Sequence, residues 1–419
     1  MNCLEMVVSK MAVYETMKNS NLPWIGVIPS HWKITRIKEL MQNVSEKNHP
    51  DATVLSLYRE YGVLPKDSRD DNHNVTSLDT ASYKFVRIGE LVINKMKAWQ
   101  GSLGVSEYEG IVSPAYYVCR FTSDKINTKY FHYLIRCKAY AQEFERLSTG
   151  MRIGQWDLGI DDFMCTPAII PPVAEQSAIA AYLDDQCAKI DTLISEAKAS
   201  IEEYKQWKAS LIYEAVTKGL DQNVEMKDSG VDIIGMMPSS WQLIRVRFLC
   251  SVMTGNQDTQ NAVDDGIYPF YVRSPKVERA NVYTYDGEGV LMAGDGAGAG
   301  RVFHHAFGKY AIHQRVYCFH DFIGIMPELF CYFMENRFSS EMDKGSAKST
   351  VPSVRLPMLL NFKVCIPPIY EQKKIINYLN VKCDSIDAII NEKITLIDSL
   401  DSYKKSLIFE TVTGKRKVV

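Results

Sequence analysis

The stretch "IPPVAEQSAIAAYLDDQCAKIDTLI", residues 170–194, returns as "IPPIYEQKKIINYLNVKCDSIDAII", residues 366–390. Proline fixes its own φ and lacks an amide hydrogen, so each proline pair can precede a helix but cannot sit inside one. No further proline interrupts either copy before the matching ends "SLIYEAVT", 210–217, and "SLIFETVT", 406–413. In the first copy Leu183, Cys187, Ile190, Ile194, Ala197, Ile201, Tyr204, Lys208 and Leu211 alternate at spacings of four and three. The second copy places Leu379, Cys383, Ile386, Ile390, Lys393, Ile397, Leu400, Lys404 and Leu407 at the equivalent positions. Such a seam, sustained for about five heptads, is the pattern of helices packed along their length. About 38 residues at about 1.5 Å each make helices of about 57 Å, long for amphipathic helices lying on one compact core.

The duplication extends outward from these helices. "MKNSNLPWIGVIPSHW", 17–32, aligns with "MKDSGVDIIGMMPSSW", 226–241, sharing Gly26/Gly235, Pro29/Pro238 and Trp32/Trp241, while the stretches between diverge. Each half therefore has a shared beginning, a divergent middle and a shared end. The short connection "KGLDQNVEMKDSG" delivers the second half beside the far end of the first helix, so the second helix must run back antiparallel to it. The expected fold is α+β, a pseudo-twofold tandem repeat. Two β-rich domains, 1–169 and 220–365, are separated by a long antiparallel two-helix coiled coil from 170–219 and 366–419. The middles read as strands because segments such as "YKFVRIGELVINK", "GIVSPAYYVCRF" and "KYAIHQRVYCF" are rich in Val, Ile, Tyr and Phe. One short helix is predicted in each middle, in "TKYFHYLIRCKAYAQEFERL" and "PELFCYFMENRFSSEM". A polar loop follows each, "STGMRIGQWDLG" and "KGSAKSTVPSVRL".

Composition narrows the function. A chain of 419 residues exceeds one hydrophobic core, and 46% apolar with 23% charged residues is a globular balance. No apolar run reaches the roughly 20 residues of a membrane span, and the ten cysteines form no Cys-x-x-Cys pair. The reading is a cytoplasmic chain with reduced thiols, no metal site and no membrane association. A net charge of −2 argues against nucleic-acid binding by bulk positive charge, so any such binding must be local or shared with a partner. In "AGDGAGAG", Gly294, Gly296 and Ala299 fit a dinucleotide fingerprint, but the residues that follow read as strands where that motif needs a helix. The run reads instead as a tight turn or a place of close backbone approach. "SPAYY", Ser113–Tyr117, departs at its first and third residues from the motif of amino-methyltransferases, and no phosphate loop is present.

With little catalytic chemistry and a strong duplication, the chain resembles the specificity subunit of type I restriction–modification systems. The carrying motifs are "IPSHW" and "MPSSW", the paired "IPP-x-x-EQ" helix starts, the paired "SLI-x-E-x-VT" helix ends, and "NKMKAWQGSLGVSEYEGIVSPAYYV", Asn94–Val118. The resemblance implies that each middle is a target-recognition domain reading one half of a bipartite, asymmetric sequence in double-stranded DNA. It implies that the helices set the spacing and dock two adenine methyltransferase subunits, and that restriction/translocase subunits join the complex. AdoMet, ATP and Mg are then expected on those partners, with no cofactor on this chain. The competing reading, a self-contained DNA adenine methyltransferase with two recognition domains, requires an AdoMet site that the motifs do not supply. A coiled-coil scaffold for proteins is a further alternative.

Base readout needs donors and acceptors on firm loops, and phosphates need Lys, Arg or small hydroxyls. In the first domain the candidates are Lys95, Lys97, Trp99, Gln100, Ser113, Ser148, Thr149, Arg152 and Gln155. In the second they are Arg273, Ser274, Lys276, Arg301, His313, Gln314, Arg315, Lys344, Lys348, Ser349 and Thr350. Each could equally be a solvated side chain or a turn cap, and Trp99 suits a core as well as DNA. A spacing of 200 residues relates Leu91 to Leu291, Ser113 to His313 and Tyr117 to Tyr317, which suggests a common scaffold.

Overall fold

The computed structural model describes residues 13–68, 80–152, 155–345 and 352–418. The chain divides into two compact units, 1–196 with 395–419, and 197–394.

In the first unit the strands that matter for the site are β1 (Met41–Val44), β2 (Leu91–Asn94), β3 (Leu103–Val105), β4 (Gly110–Val112) and β5 (Tyr116–Phe121). Four of them form an antiparallel sheet in the order β1-β5-β2-β3. Leu91, Ile93 and Cys119 face the main core, while Val92 and Val118 face a smaller cluster with Leu55 and Val86. Burial on both faces explains why β2 reads as an unbroken apolar run. The single helix predicted next is in fact two, α1 (Thr128–Arg136) and α2 (Lys138–Leu147), broken at Cys137, whose ψ is 152°. The break lets Tyr130, Phe131 and Leu134 of α1 and Tyr140 and Phe144 of α2 reach the same core. The following segment, predicted to be a loop, folds back on itself as the hairpin β6 (Thr149–Arg152) and β7 (Gln155–Asp157). The first long helix, α3, spans Val173–Lys218.

The second unit repeats the sheet. Its strands are β8 (Ser251–Thr254), β9 (Gly289–Ala293), β10 (Phe303–Ala306), β11 (Lys309–Ile312) and β12 (Val316–His320). The sheet order is β8-β12-β9-β10, the counterpart of the first. Here Val290, Met292 and Phe319 face the main core and Leu291 and Cys318 the smaller one. Cys119 pairs with Leu91, and Phe319 with Val290. Leu91 therefore corresponds to Val290; the sequence pairing with Leu291 slips by one residue, which in a strand exchanges the two faces. Tyr117 and Tyr317 do correspond, each packed partly buried against its unit's main core. The short helix α4 (Pro327–Phe333) runs through a π turn, Met334–Phe338, into α5 (Ser339–Gly345). The second long helix, α6, spans Ile369–Val412.

At 46 and 44 residues the long helices exceed the predicted length, because they begin almost directly after the prolines. Their antiparallel pairing is visible in each unit. In the first, Lys404 Nζ meets both Asp191 carboxylate oxygens at 2.7 Å; in the second, Lys208 Nζ meets those of Asp387 at 2.8 and 2.6 Å. These ion pairs are counterparts across the repeat, so the lysines in the seam are read by aspartates conserved between the two copies. Lys393, also a seam position, lies over the Tyr204 ring.

The duplicated motifs build one seat per unit. Trp32 is fully buried and its indole N–H donates to Glu175 at 3.1 Å; Trp241 donates to Glu371 at 3.1 Å. Each tryptophan thus grips the start of one long helix. The end of the other long helix packs on the same tryptophan: a Cβ on Gly414 would lie 3.1 Å from the Trp32 ring, and one on Gly219 3.1 Å from that of Trp241. The adjacent glutamines are bolts. Gln176, wholly buried, accepts from the Asn127 amide at 2.8 Å and donates to the Lys125 and Pro171 carbonyls at 2.9 and 2.8 Å. Gln372 repeats this with the Met326 amide and the Gly324 and Pro367 carbonyls.

Candidate nucleic-acid interface

Three chain segments meet at one end of the sheet in each unit. The first joins β2 to β3, residues 95–102, and β9 to β10, residues 294–302. The second is the three-residue turn between β4 and β5, 113–115, and between β11 and β12, 313–315. The third follows α2 and α5 and is stitched to the first by matching bonds: Leu158 N–H to the Lys95 carbonyl at 3.0 Å, and Val354 N–H to the Gly294 carbonyl at 2.8 Å.

The turns match atom for atom. Tyr116 N–H donates to the Ser113 carbonyl at 3.0 Å and Val316 N–H to the His313 carbonyl at 2.9 Å. The Ser113 hydroxyl accepts from the Ala115 amide at 3.4 Å, and His313 Nδ1 accepts from the Arg315 amide at 2.9 Å. Ser113 and His313 are thus the turn-forming residues. His313 is 2% exposed, and its pKa lies below the usual histidine value because of burial. What the turn presents differs between units: Pro114 and Ala115 in the first, exposed Gln314 and Arg315 in the second.

In the first unit cations come instead from the strand connection. Lys95 pairs with Asp157 of the hairpin at 2.8 Å, and that hydrogen bond raises the lysine's pKa. Trp99, half-buried, packs on Trp156 with ring centroids 5.2 Å apart, so the loop and hairpin share one aromatic contact. Gln100 accepts from Arg59, and Lys97 is exposed. The Ser148 hydroxyl bonds back to the Phe144 carbonyl at 2.6 Å and serves as a helix end. Thr149 is exposed at the base of the hairpin, and Arg152 and Gln155 are backbone partners in its register.

In the second unit the glycine run forms the strand connection. A Cβ on Gly298 would lie 2.4 Å from the Arg273 carbonyl oxygen, and one on Gly294 2.9 Å from that of Arg315. The close approach foreseen for this run is therefore to the chain's own segments, and it draws Arg273 and Arg315 together. Asp295 lies between them, 3.1 Å from Arg273 Nη1 and 3.7 Å from Arg315 Nε. Gln314 Nε2 donates to Asp258 Oδ2 at 2.7 Å. Arg301 is exposed beside the run. Ser274 is engaged locally with the Lys276 carbonyl, and Lys276 with Glu278. Lys344 lies in α5; Lys348, Ser349 and Thr350 lie outside the described residues.

Sequence reasoning looked for donors and so missed Asp157, Asp258 and Asp295, which hold the donors in place. It also missed Lys84, whose ammonium donates to the Tyr116 carbonyl at 2.5 Å and whose pKa is lowered by burial. Asn94, 5% exposed, is another omission; its Oδ1 has no hydrogen-bond partner among the described residues. For Asp157 and Asp295 the sequence signal was a single acidic residue in an otherwise neutral or basic loop; Asp258 shares its loop with Asp264 and Asp265 and carried no such signal. Among the described residues no group of three or more His, Cys, Asp or Glu is placed to hold a metal ion, and no helix is long and apolar enough to cross a membrane.

The family described as type I restriction modification DNA specificity domain matches residues 29–203 and 238–398, the greater part of both halves. The chain belongs to that family. Full-length relatives include the type I restriction enzyme MjaVIII specificity subunit of Methanocaldococcus jannaschii, 22% identical over 93% of this chain and 94% of its own. The putative MjaX specificity subunit of the same organism is 22% identical over 94% and 96%. The EcoDI specificity subunit of Escherichia coli is 25% identical over 37% of this chain and 34% of its own. A solved chain from work on complex assembly and conformational transition of the type I R-M system shares the fold with a TM-score of 0.70, covering 92% of this chain and 98% of that one at 14% identity. The two matched segments are the two halves of the tandem repeat, and this specificity chain carries one platform in each.

Proposed function

We propose that this chain is the noncatalytic DNA-reading subunit of a type I restriction–modification complex, each platform recognising one half of a bipartite, asymmetric target. One observation carries the reading: the same three-segment platform is built twice with matching backbone bonds, yet offers lysines and a tryptophan in one copy and glutamine and arginines in the other. A shared frame with unlike side chains is what two different half-sites require. The long helices act as spacer and as dock for two methyltransferase subunits, with restriction/translocase subunits joining in turn. AdoMet, ATP and Mg belong to those partners. The near-neutral charge then follows, because phosphate neutralisation is shared with subunits enclosing the duplex.

The test is to co-express the chain with its methyltransferase partner and map modified adenines by single-molecule sequencing. A two-part, asymmetric motif with a fixed gap is expected, and none from the chain alone. Methylation by the isolated chain, or a continuous motif, would overturn the proposal.

A further inference from the structure

Carboxylates on a DNA-facing surface repel phosphate, and exposed ion pairs add at most about 1 kcal/mol of stability, so Asp258 and Asp295 need another explanation. Neither is placed at random. Asp258 caps the short turn at Thr259–Asn261, accepts the Gln314 side-chain N–H, and directly follows Gln257, whose carbonyl accepts from the Gln314 amide at 2.8 Å. Asp295 sits within the glycine run, paired in backbone register with Ser353, and its side chain is only 22% exposed.

We infer that Asp258 and Asp295 are positioning residues that set base selectivity in the second half-site. This rests on reading the second unit as a DNA reader. A carboxylate only accepts, so the Gln314 amide nitrogen must face Asp258. That fixes the orientation of the amide and leaves its Oε1 and one N–H for a ligand, the acceptor and donor pair that matches the N6 and N7 edge of adenine. Asp295 meets Arg315 through Nε, which leaves its two terminal nitrogens available as the fork that matches O6 and N7 of guanine. Arg273, held on the other carboxylate oxygen, is tied to the same point. The first unit uses the same device in reduced form, with Asp157 holding Lys95.

The near-isosteric variants Asp258→Asn and Asp295→Asn separate orientation from bulk. Each is assayed as the complex with the methyltransferase on a duplex library randomised in the second half-site. Asp258→Asn lets the Gln314 amide turn over and should cut discrimination at one base pair by about tenfold or more. Asp295→Asn should do so at the base pairs read by the arginines, while non-specific affinity is kept or raised because a negative charge is gone. First half-site selectivity, complex assembly and melting temperature should not change, and Asp258→Glu should restore part of the lost selectivity. A wild-type complex with no preference in the second half-site would refute the DNA-reader assignment itself. A wild-type preference that both Asn variants retain would refute the positioning role alone, as would a uniform loss of binding accompanied by a lowered melting temperature.

Discussion

Replacing Gln176 by methionine isolates the bolt that joins α3 to the first unit, because methionine keeps length and flexibility while removing only the polar atoms. Three groups lose their partner: the Asn127 N–H and the Lys125 and Pro171 carbonyls. A buried polar group left unpaired costs about 1–3 kcal/mol. The Pro171 contact is fully buried and the other two partly so, and water can recover some of the partly buried ones, so the total is about 3 kcal/mol. At about 1.4 kcal/mol per factor of ten, local opening becomes about a hundredfold more frequent. Native-state hydrogen exchange read by mass spectrometry reports this directly. Peptides covering 125–135 and the first turns of α3 should lose about two orders of magnitude in protection, while peptides of the second sheet stay unchanged. Gln372→Met should give the mirror result, exposing 324–330 and the start of α6. A change below about threefold in the affected peptides, or equal changes in both units, would show that these glutamines do not bind helix to unit and that their repetition has another cause.

Replacing Arg301, Gln314 and Arg315 together with alanine should abolish or relax the second half-site while the first half-site and partner assembly persist, as read by mapping modified adenines. Adding one heptad after Ala197 and another after Lys393 lengthens each helix by about 10.5 Å, so the gap between half-sites should grow by about three base pairs at about 3.4 Å each; an unchanged gap in an assembled complex would leave the helices only a docking role. His132, enclosed beside Arg136, has its pKa lowered to about 3 by burial, with Nδ1 accepting from the Val105 amide. Between its usual value near 6.5 and about 3 the unfolded chain binds the extra proton, so stability falls as pH falls through that window, by at most about 1.4 kcal/mol per pH unit. Denaturant melts of the wild type and His132→Asn between pH 7 and 4 should show the wild type losing more. Lys208→Asp should destabilise the second unit by more than the about 1 kcal/mol that a part-exposed pair contributes, because it sets two carboxylates against each other, and Asp387→Lys in the same chain should restore most of the loss.

Duplication, helix period and strand character were fixed locally, and the sequence determined them unaided. Doubled prolines can precede a helix but not sit inside one, a four-and-three seam has one packed face, and runs of Val, Ile, Tyr and Phe suit strands. The tandem halves follow from the repeats, the antiparallel helices from the short connection between them, and the family from the resemblance that the paired motifs carry. The repeated Trp, Glu and Gln were visible as repeats, but their purpose was not, because the partners of Gln176 lie about fifty residues upstream at Lys125 and Asn127. The divergent middles hid the most. Their shared sheet survives with scarcely a shared residue, since a strand needs only buried apolar side chains in alternation, and the one-residue slip between Leu91 and Val290 is invisible until hydrogen-bonded neighbours fix the register. The platforms depend on tertiary structure for the same reason. Asp295, Arg273 and Arg315 are scattered over more than forty residues, and only close approach of backbone at Gly294 and Gly298 turns three separate loops into one charged cluster.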